Sequence, residues 1–107
     1  MENLSTKKCV PCQGGIPPLT EDEIKEYLPH IQGWEVLENK KIHKRFKFES
    51  FSEAISFTNK VARIAEEQGH HPNISIDYNK VDIDIWTHKI NGLHENDFIL
   101  ASKIDTI

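Results

Sequence analysis

The stretch "NISIDYNKVDIDIW", Asn73 to Trp86, decides the fold. Ile74, Ile76 and Tyr78 share one face of its first half, and Val81, Ile83 and Ile85 share one face of its second. A period of two is that of strands with one buried face. If Asn79 and Lys80 form a two-residue turn, Tyr78 lies opposite Val81, Ile76 opposite Ile83 and Ile74 opposite Ile85, so every apolar residue meets an apolar partner. Asp82, Asp84 and Trp86 then show on the other face.

Upstream, "SFSEAISFTNKVARIAEEQG" gives the strongest helical pattern in the chain. Ser50 and Glu53 have the spacing of a capping box. Ala54, Phe57, Val61, Ile64 and Ala65 lie along one face, and Gly69 suits the left-handed position that ends a helix. Before it, "GWEVLENKKIHKRFKF" alternates on either side of "ENKK", as two antiparallel strands do, and "LTEDEIKEYL" opens with a Thr20/Glu23 capping box and closes at Pro29. After the hairpin, "NDFILASKIDTI" places Phe98, Ala101, Ile104 and Ile107 on a helical face. The expected class is α+β: a four-stranded antiparallel sheet with three helices on one face, in the order α-β-β-α-β-β-α.

At 107 residues the chain is one domain, near the low end for burying a core alone, which makes oligomerisation unsurprising. Thirteen basic against seventeen acidic residues, a net charge of -4, argue against a nucleic-acid footprint and offer no basic membrane patch. No apolar run approaches the roughly 20 residues of a membrane span, and "MENLSTKKCVPC" has no signal-peptide hydrophobic region, so a cytoplasmic protein is expected. Residues 1–18 read as a Cys/Pro/Gly-rich arm, with the folded domain over residues 19–107. The arm's Cys9 and Cys12 could be half of a zinc site or a redox couple, but no strand precedes them and no second pair exists, which favours a motif without chemistry.

Three histidines cluster around the hairpin: His70 and His71, side by side between Gly69 and Pro72, and His88 beyond the second strand. Carried outward, the register above puts His71 opposite His88, at a Cβ separation of about 5 Å, with His70 beside them. Such a cluster admits three readings: surface histidines at a strand end, a zinc site, or metal-free acid/base catalysis. Adjacent extended residues project oppositely, which counts against three converging ligands. Imidazoles titrate near neutral pH, and neighbouring cations oppose double protonation, so one can donate while another accepts, as a dehydration requires. Two carboxylates flank the cluster. Glu66 lies in the last turn of its helix, where the macrodipole disfavours an anion, and Asp97 in the first turn of the last helix, where an acid is ordinary.

The pattern ExxxHHP from Glu66 to Pro72, with Tyr78, His88 and Asp97 following at set intervals, resembles the active-site pattern of the pterin-4a-carbinolamine dehydratases. The arm "CVPCQGGIPPL", the "GW" of Gly33 and Trp34, and "THKINGL" extend the resemblance over nearly the whole chain. It implies dehydration of 4a-hydroxytetrahydropterins to quinonoid dihydropterins in tetrahydrobiopterin regeneration after aromatic amino-acid hydroxylation. It also implies a homodimer or homotetramer, and neither metal nor cofactor, the pterin being the substrate. His70, His71 and His88 take the catalytic positions, with His70 and His88 moving protons and His71 orienting the pterin. Glu66 and Asp97 support those histidines, while Pro72, Trp34 and Tyr78 belong to the substrate site.

One departure stands out: where that family has Thr or Ser capping the last helix, this chain has His94. Histidine is a poorer cap, by up to about 1 kcal/mol, and is expected to loosen Asp97 or to add a fourth imidazole at the rim. A protein-binding or coactivator module on the same fold is the alternative function.

Overall fold

The structure, a computed structural model, describes residues 3–10 and 14–107. Its elements are α1 (Glu21–Tyr27), β1 (Glu35–Leu37), β2 (Lys41–Lys47), α2 (Phe51–Gln68), β3 (Asn73–Asp77), β4 (Lys80–Ile85) and α3 (Glu95–Ile104), with 3-10 turns at Leu4–Thr6, Leu28–His30 and His88–Ile90. The strands form an antiparallel sheet in the order β1-β2-β4-β3. The fold is therefore the α+β arrangement read from the sequence, with the three helices in the expected places. Ile42, Val81, Ile83 and Ile85 are fully buried beneath the helices together with Val61, Phe98 and Leu100.

Local chemistry accounts for the boundaries. At α1, Thr20 Oγ1 accepts from the Glu23 N–H and the Glu23 carboxylate from the Thr20 N–H, a complete capping box. At α2 only half of the box forms. Ser50 accepts from the Glu53 N–H, but the Glu53 carboxylate reaches the Glu49 N–H instead of the cap's own. Glu38 and Asn39, both at positive φ, make the β1–β2 turn, with the Lys40 N–H on the Leu37 carbonyl. Paired positive φ values at the central residues suit the right-handed twist of the strands.

The β3–β4 register differs from the one above. Ile74 pairs with Ile83, Ile76 with Val81 and Asp77 with Lys80, and the turn residues are Tyr78 and Asn79. A shift by two leaves every side chain on its face, so alternation could not distinguish the two registers. The neighbouring strand does. Lys80 already pairs with Lys47 of β2, and Asn79 is tied to Phe48 by a backbone bond and a side-chain bond of 2.8 Å each. Asn79 is thereby held in the turn with Tyr78. The ladder stops at Asn73, and in this register the position facing His71 would be Trp86, so the pairing of His71 with His88 is overturned.

Helix α3 is buried on more than one stripe. Besides Phe98, Ala101 and Ile104, the residues Asn96, Asp97, Ile99, Leu100 and Ser102 are buried, whereas Ile107 lies beyond the helix and is exposed. The outer side is covered by the N-terminal arm. Leu4 is a core residue at 1% exposure, the Lys103 ammonium donates to the Ser5 carbonyl, and Lys7 pairs with Glu95. Folded structure thus begins well before Leu19. Burial pushes the Cys9 thiol up to about 11, and it donates to the Asn96 carbonyl as a neutral group. Its sequence partner Cys12 lies outside the described residues.

Candidate active site

Helix α2 ends on Gly69, at φ 65°, whose N–H bonds back to the carbonyls of Ala65 and Glu66 while the His70 N–H reaches the Ala65 carbonyl. Glycine adopts this left-handed conformation without the steric penalty of a Cβ, and the chain leaves the helix sharply. That exit carries His70 to the start of α3. Its Nε2 lies 2.5 Å from Asp97 Oδ1. The Asp97 side chain is wholly inaccessible and that of His70 is 11% exposed.

Asp97 is held from three directions. Its Oδ2 accepts from the His94 N–H at 2.9 Å and from the Thr87 hydroxyl at 3.0 Å, while Oδ1 takes the His70 ring. An ionised carboxylate only accepts, so the hydrogen-bond network assigns the neutral imidazole's proton to Nε2 and leaves the lone pair on Nδ1. A buried carboxylate that fixes the tautomer and orientation of a histidine is the arrangement by which such a ring is prepared as a base.

His94 caps α3 after all. Its Nδ1 accepts from the Asn96 N–H at 3.0 Å, doing what a serine or threonine oxygen would do, and its own N–H anchors Asp97. The expected loosening of Asp97 is absent because the ring nitrogen supplies the acceptor.

The loop after β4 places the third histidine. Thr87 and Gly92 form a bridge, with the Thr87 N–H on the Gly92 carbonyl at 2.9 Å. Asn91 takes a left-handed φ of 50°. A Cβ on Gly92 would come within 2.5 Å of Pro18 Cβ, so the close approach of the arm requires glycine there. On this loop the exposed His88 ring stacks on Trp86 with centroids 4.2 Å apart. His71 turns outward: its Nε2 meets Glu66 Oε1 at 2.8 Å, with 61% and 77% of the two side chains exposed. A pair so exposed contributes less than about 1 kcal/mol.

His70, His71, Pro72 and His88 line one open groove of about 540 Å³, together with Asn73, Trp86, Thr87 and Lys89. Its size suits a small molecule. Two residues assigned to the substrate site by resemblance lie elsewhere. Trp34 is buried, donating its indole N–H to Asp105 past the far end of α3. Tyr78 sits at the hairpin tip, 65% exposed and five residues beyond the groove end of β3, about 16 Å along a strand. The aromatic wall is Trp86, which the alternation of β4 had already put on the open face two residues before His88. Thr87 was missed, since a lone threonine after a strand carries no signal until Asp97 is seen beside it.

Residues 17–107 match the family model described as pterin 4 alpha carbinolamine dehydratase. A relative from Rickettsia canadensis, named "Putative pterin-4-alpha-carbinolamine dehydratase", is 51% identical over 99% of this chain and 98% of its own length. One of the same name from Alkaliphilus metalliredigens is 46% identical over 98% and 96%. Among solved structures, a Brucella melitensis protein described as a transcriptional coactivator/pterin dehydratase superposes with a TM-score of 0.78 at 38% identity, over 83% of this chain and 96% of that one. A pterin dehydratase-like protein described as a RuBisCO assembly factor in the alpha-carboxysome gives 0.61 at 26% identity, over 70% and 88%.

Proposed function

The chain belongs to the pterin 4 alpha carbinolamine dehydratase family, and from that premise we propose that it dehydrates 4a-hydroxytetrahydropterins by histidine acid/base catalysis. The observation that carries the proposal is the His70–Asp97 pair, a groove histidine held at 2.5 Å by a wholly buried carboxylate. In the reaction the C4a–O bond breaks with its electron pair leaving on oxygen. The departing hydroxyl takes a proton and becomes water, and the cationic ring loses an N–H proton to give the neutral quinonoid product.

His88 is the acid in this scheme, its exposed ring stacked on Trp86 along the open groove. His70 is the base, presenting Nδ1 while Asp97 steadies the charge that develops. His71, tied to Glu66 at the rim, orients the pterin. The reaction is proposed to need neither metal nor cofactor, in keeping with the separate hydrogen-bond partners of His70 and His71.

Within the same proposal the protein acts in the cytoplasm as a homodimer or homotetramer, regenerating tetrahydrobiopterin beside an aromatic amino-acid hydroxylase. Among the described residues no helix is long and apolar enough to cross a membrane. The descriptions of the two solved relatives raise a second reading, a protein-binding module on the same fold. The buried carboxylate favours the enzyme, because a docking surface gains nothing from fixing a histidine tautomer.

The test is the rate of 4a-hydroxytetrahydropterin dehydration by wild type, His70→Ala and His88→Ala in the presence of a chelator. Each variant is expected to lose about a hundredfold to ten-thousandfold of a chelator-resistant rate. A folded wild type that leaves the spontaneous rate unchanged refutes the enzyme.

A further inference from the structure

The arm read from the sequence as chemically silent bonds to chain neighbours of both members of the buried pair, Gln68 near His70 and Asn96 beside Asp97. The Cys9 N–H donates to Gln68 Oε1 at 2.9 Å, and Gln68 is the last residue of α2, two before His70. At the next residue, the Val10 N–H donates to Asn96 Oδ1 at 3.0 Å and the Val10 carbonyl accepts from Asn96 Nδ2 at 2.7 Å. Asn96 is 2% exposed and immediately precedes Asp97. The Cys9 thiol adds a bond of 3.6 Å to the Asn96 carbonyl. Two consecutive arm residues therefore join the end of α2 to the beginning of α3, and they do so beside the two side chains whose separation sets the site.

We propose that Cys9 and Val10 are a strap that keeps His70 and Asp97 in register, which makes Gln68 and Asn96 positioning residues for the reaction. The physical need is plain. His70 lies beyond the last residue of α2 and has no ladder partner, since β3 begins only at Asn73. Its position relative to α3 then depends on what crosses between the two helix ends. The strap is itself well anchored, through Leu4 in the core and through the Lys103 bond to Ser5, so it reaches the site as a fixed piece of structure. It also lies N-terminal to residues 17–107, the segment that matches the family model. A misplacement of about 1 Å in a catalytic group lowers rates by about a hundredfold, and loss of one strap bond, a partial loosening, is expected to lower kcat about tenfold.

This inference rests on the dehydratase reading for its kinetic arm, and a spectroscopic arm tests it separately. Gln68→Ala removes the acceptor for the Cys9 N–H, and Gln68→Glu keeps an oxygen there. The strap predicts a kcat about tenfold lower in Gln68→Ala with KM changed less than about twofold, recovery in Gln68→Glu, and a parallel loss in Asn96→Ala. It also predicts that the His70 Nε2–H proton and ring nitrogen resonances shift or broaden in Gln68→Ala and return in Gln68→Glu. A lower melting temperature with kcat and the His70 resonances unchanged would overturn the strap and leave the arm a purely structural element. Wild type without dehydratase activity would refute the enzyme reading, and the His70 resonances would still decide for or against the strap.

Discussion

Asp97→Asn keeps the shape of the side chain while removing its charge and one of its two acceptor oxygens. Three donors converge on the native carboxylate: the His70 ring on Oδ1, and the Thr87 hydroxyl and His94 N–H on Oδ2. An amide has one oxygen and one donor group, so one contact must reverse. The His94 N–H belongs to the backbone at the start of α3 and cannot turn away, so the amide oxygen takes the Oδ2 position and Nδ2 faces His70. The imidazole must then accept at Nε2 and carry its proton on Nδ1, the nitrogen that the proposed reaction uses as its base. The expected loss in kcat is about a hundredfold to ten-thousandfold, on the order of 3–5 kcal/mol in the barrier. Stability should fall less, by about 1–2 kcal/mol, as charge-assisted bonds give way to neutral ones. Dehydration kinetics, a melting curve and the nitrogen shifts of the His70 ring read the three consequences. A folded Asp97→Asn protein within threefold of the wild-type rate would refute the tautomer argument. A reversed tautomer with undiminished rate would remove His70 as the base.

Because His94 caps α3 through its ring nitrogen, His94→Ala should destabilise the protein by about 1 kcal/mol and His94→Ser should not, as urea unfolding would register. Leu4→Ala, in an arm that looks dispensable, should cost about 2–5 kcal/mol, because the residue is 1% exposed and packed in the core; thermal melting checks it. Burial first, and then its hydrogen bond to Glu95, raise the Tyr27 hydroxyl to about 12. The folded state thus favours the protonated phenol. The stability this contributes is complete below about pH 10, the unfolded value, and is lost as the pH rises towards 12. After allowance for solvent screening it is on the order of 1 kcal/mol, and Tyr27→Phe should flatten the alkaline limb of a stability profile over that window.

The elements were legible because each is written in local terms: the capping pairs at Thr20 and Ser50, the left-handed Gly69, and the period of two in β3 and β4. The histidine cluster was legible because His70 and His71 follow a helix stop and His88 follows a strand. What the sequence by itself could not determine was anything depending on a neighbour distant along the chain. The hairpin register turned on Lys47 and Phe48 of β2, which hold Lys80 and Asn79, and alternation is blind to a shift of two. The placement of Trp34 and Tyr78 away from the groove, and of Trp86 within it, came from packing and turn position, not from residue type. The carboxylate partners were split by tertiary structure as well, Asp97 to the buried His70 and Glu66 to the exposed His71. The arm shows the limit most plainly: its composition marked only a Cys/Pro/Gly-rich arm without chemistry, while the structure places Leu4 in the core and bonds Cys9 and Val10 to two helices. Short-range order follows from the backbone preferences of adjacent residues, while burial and pairing depend on surfaces that exist only once the chain has folded.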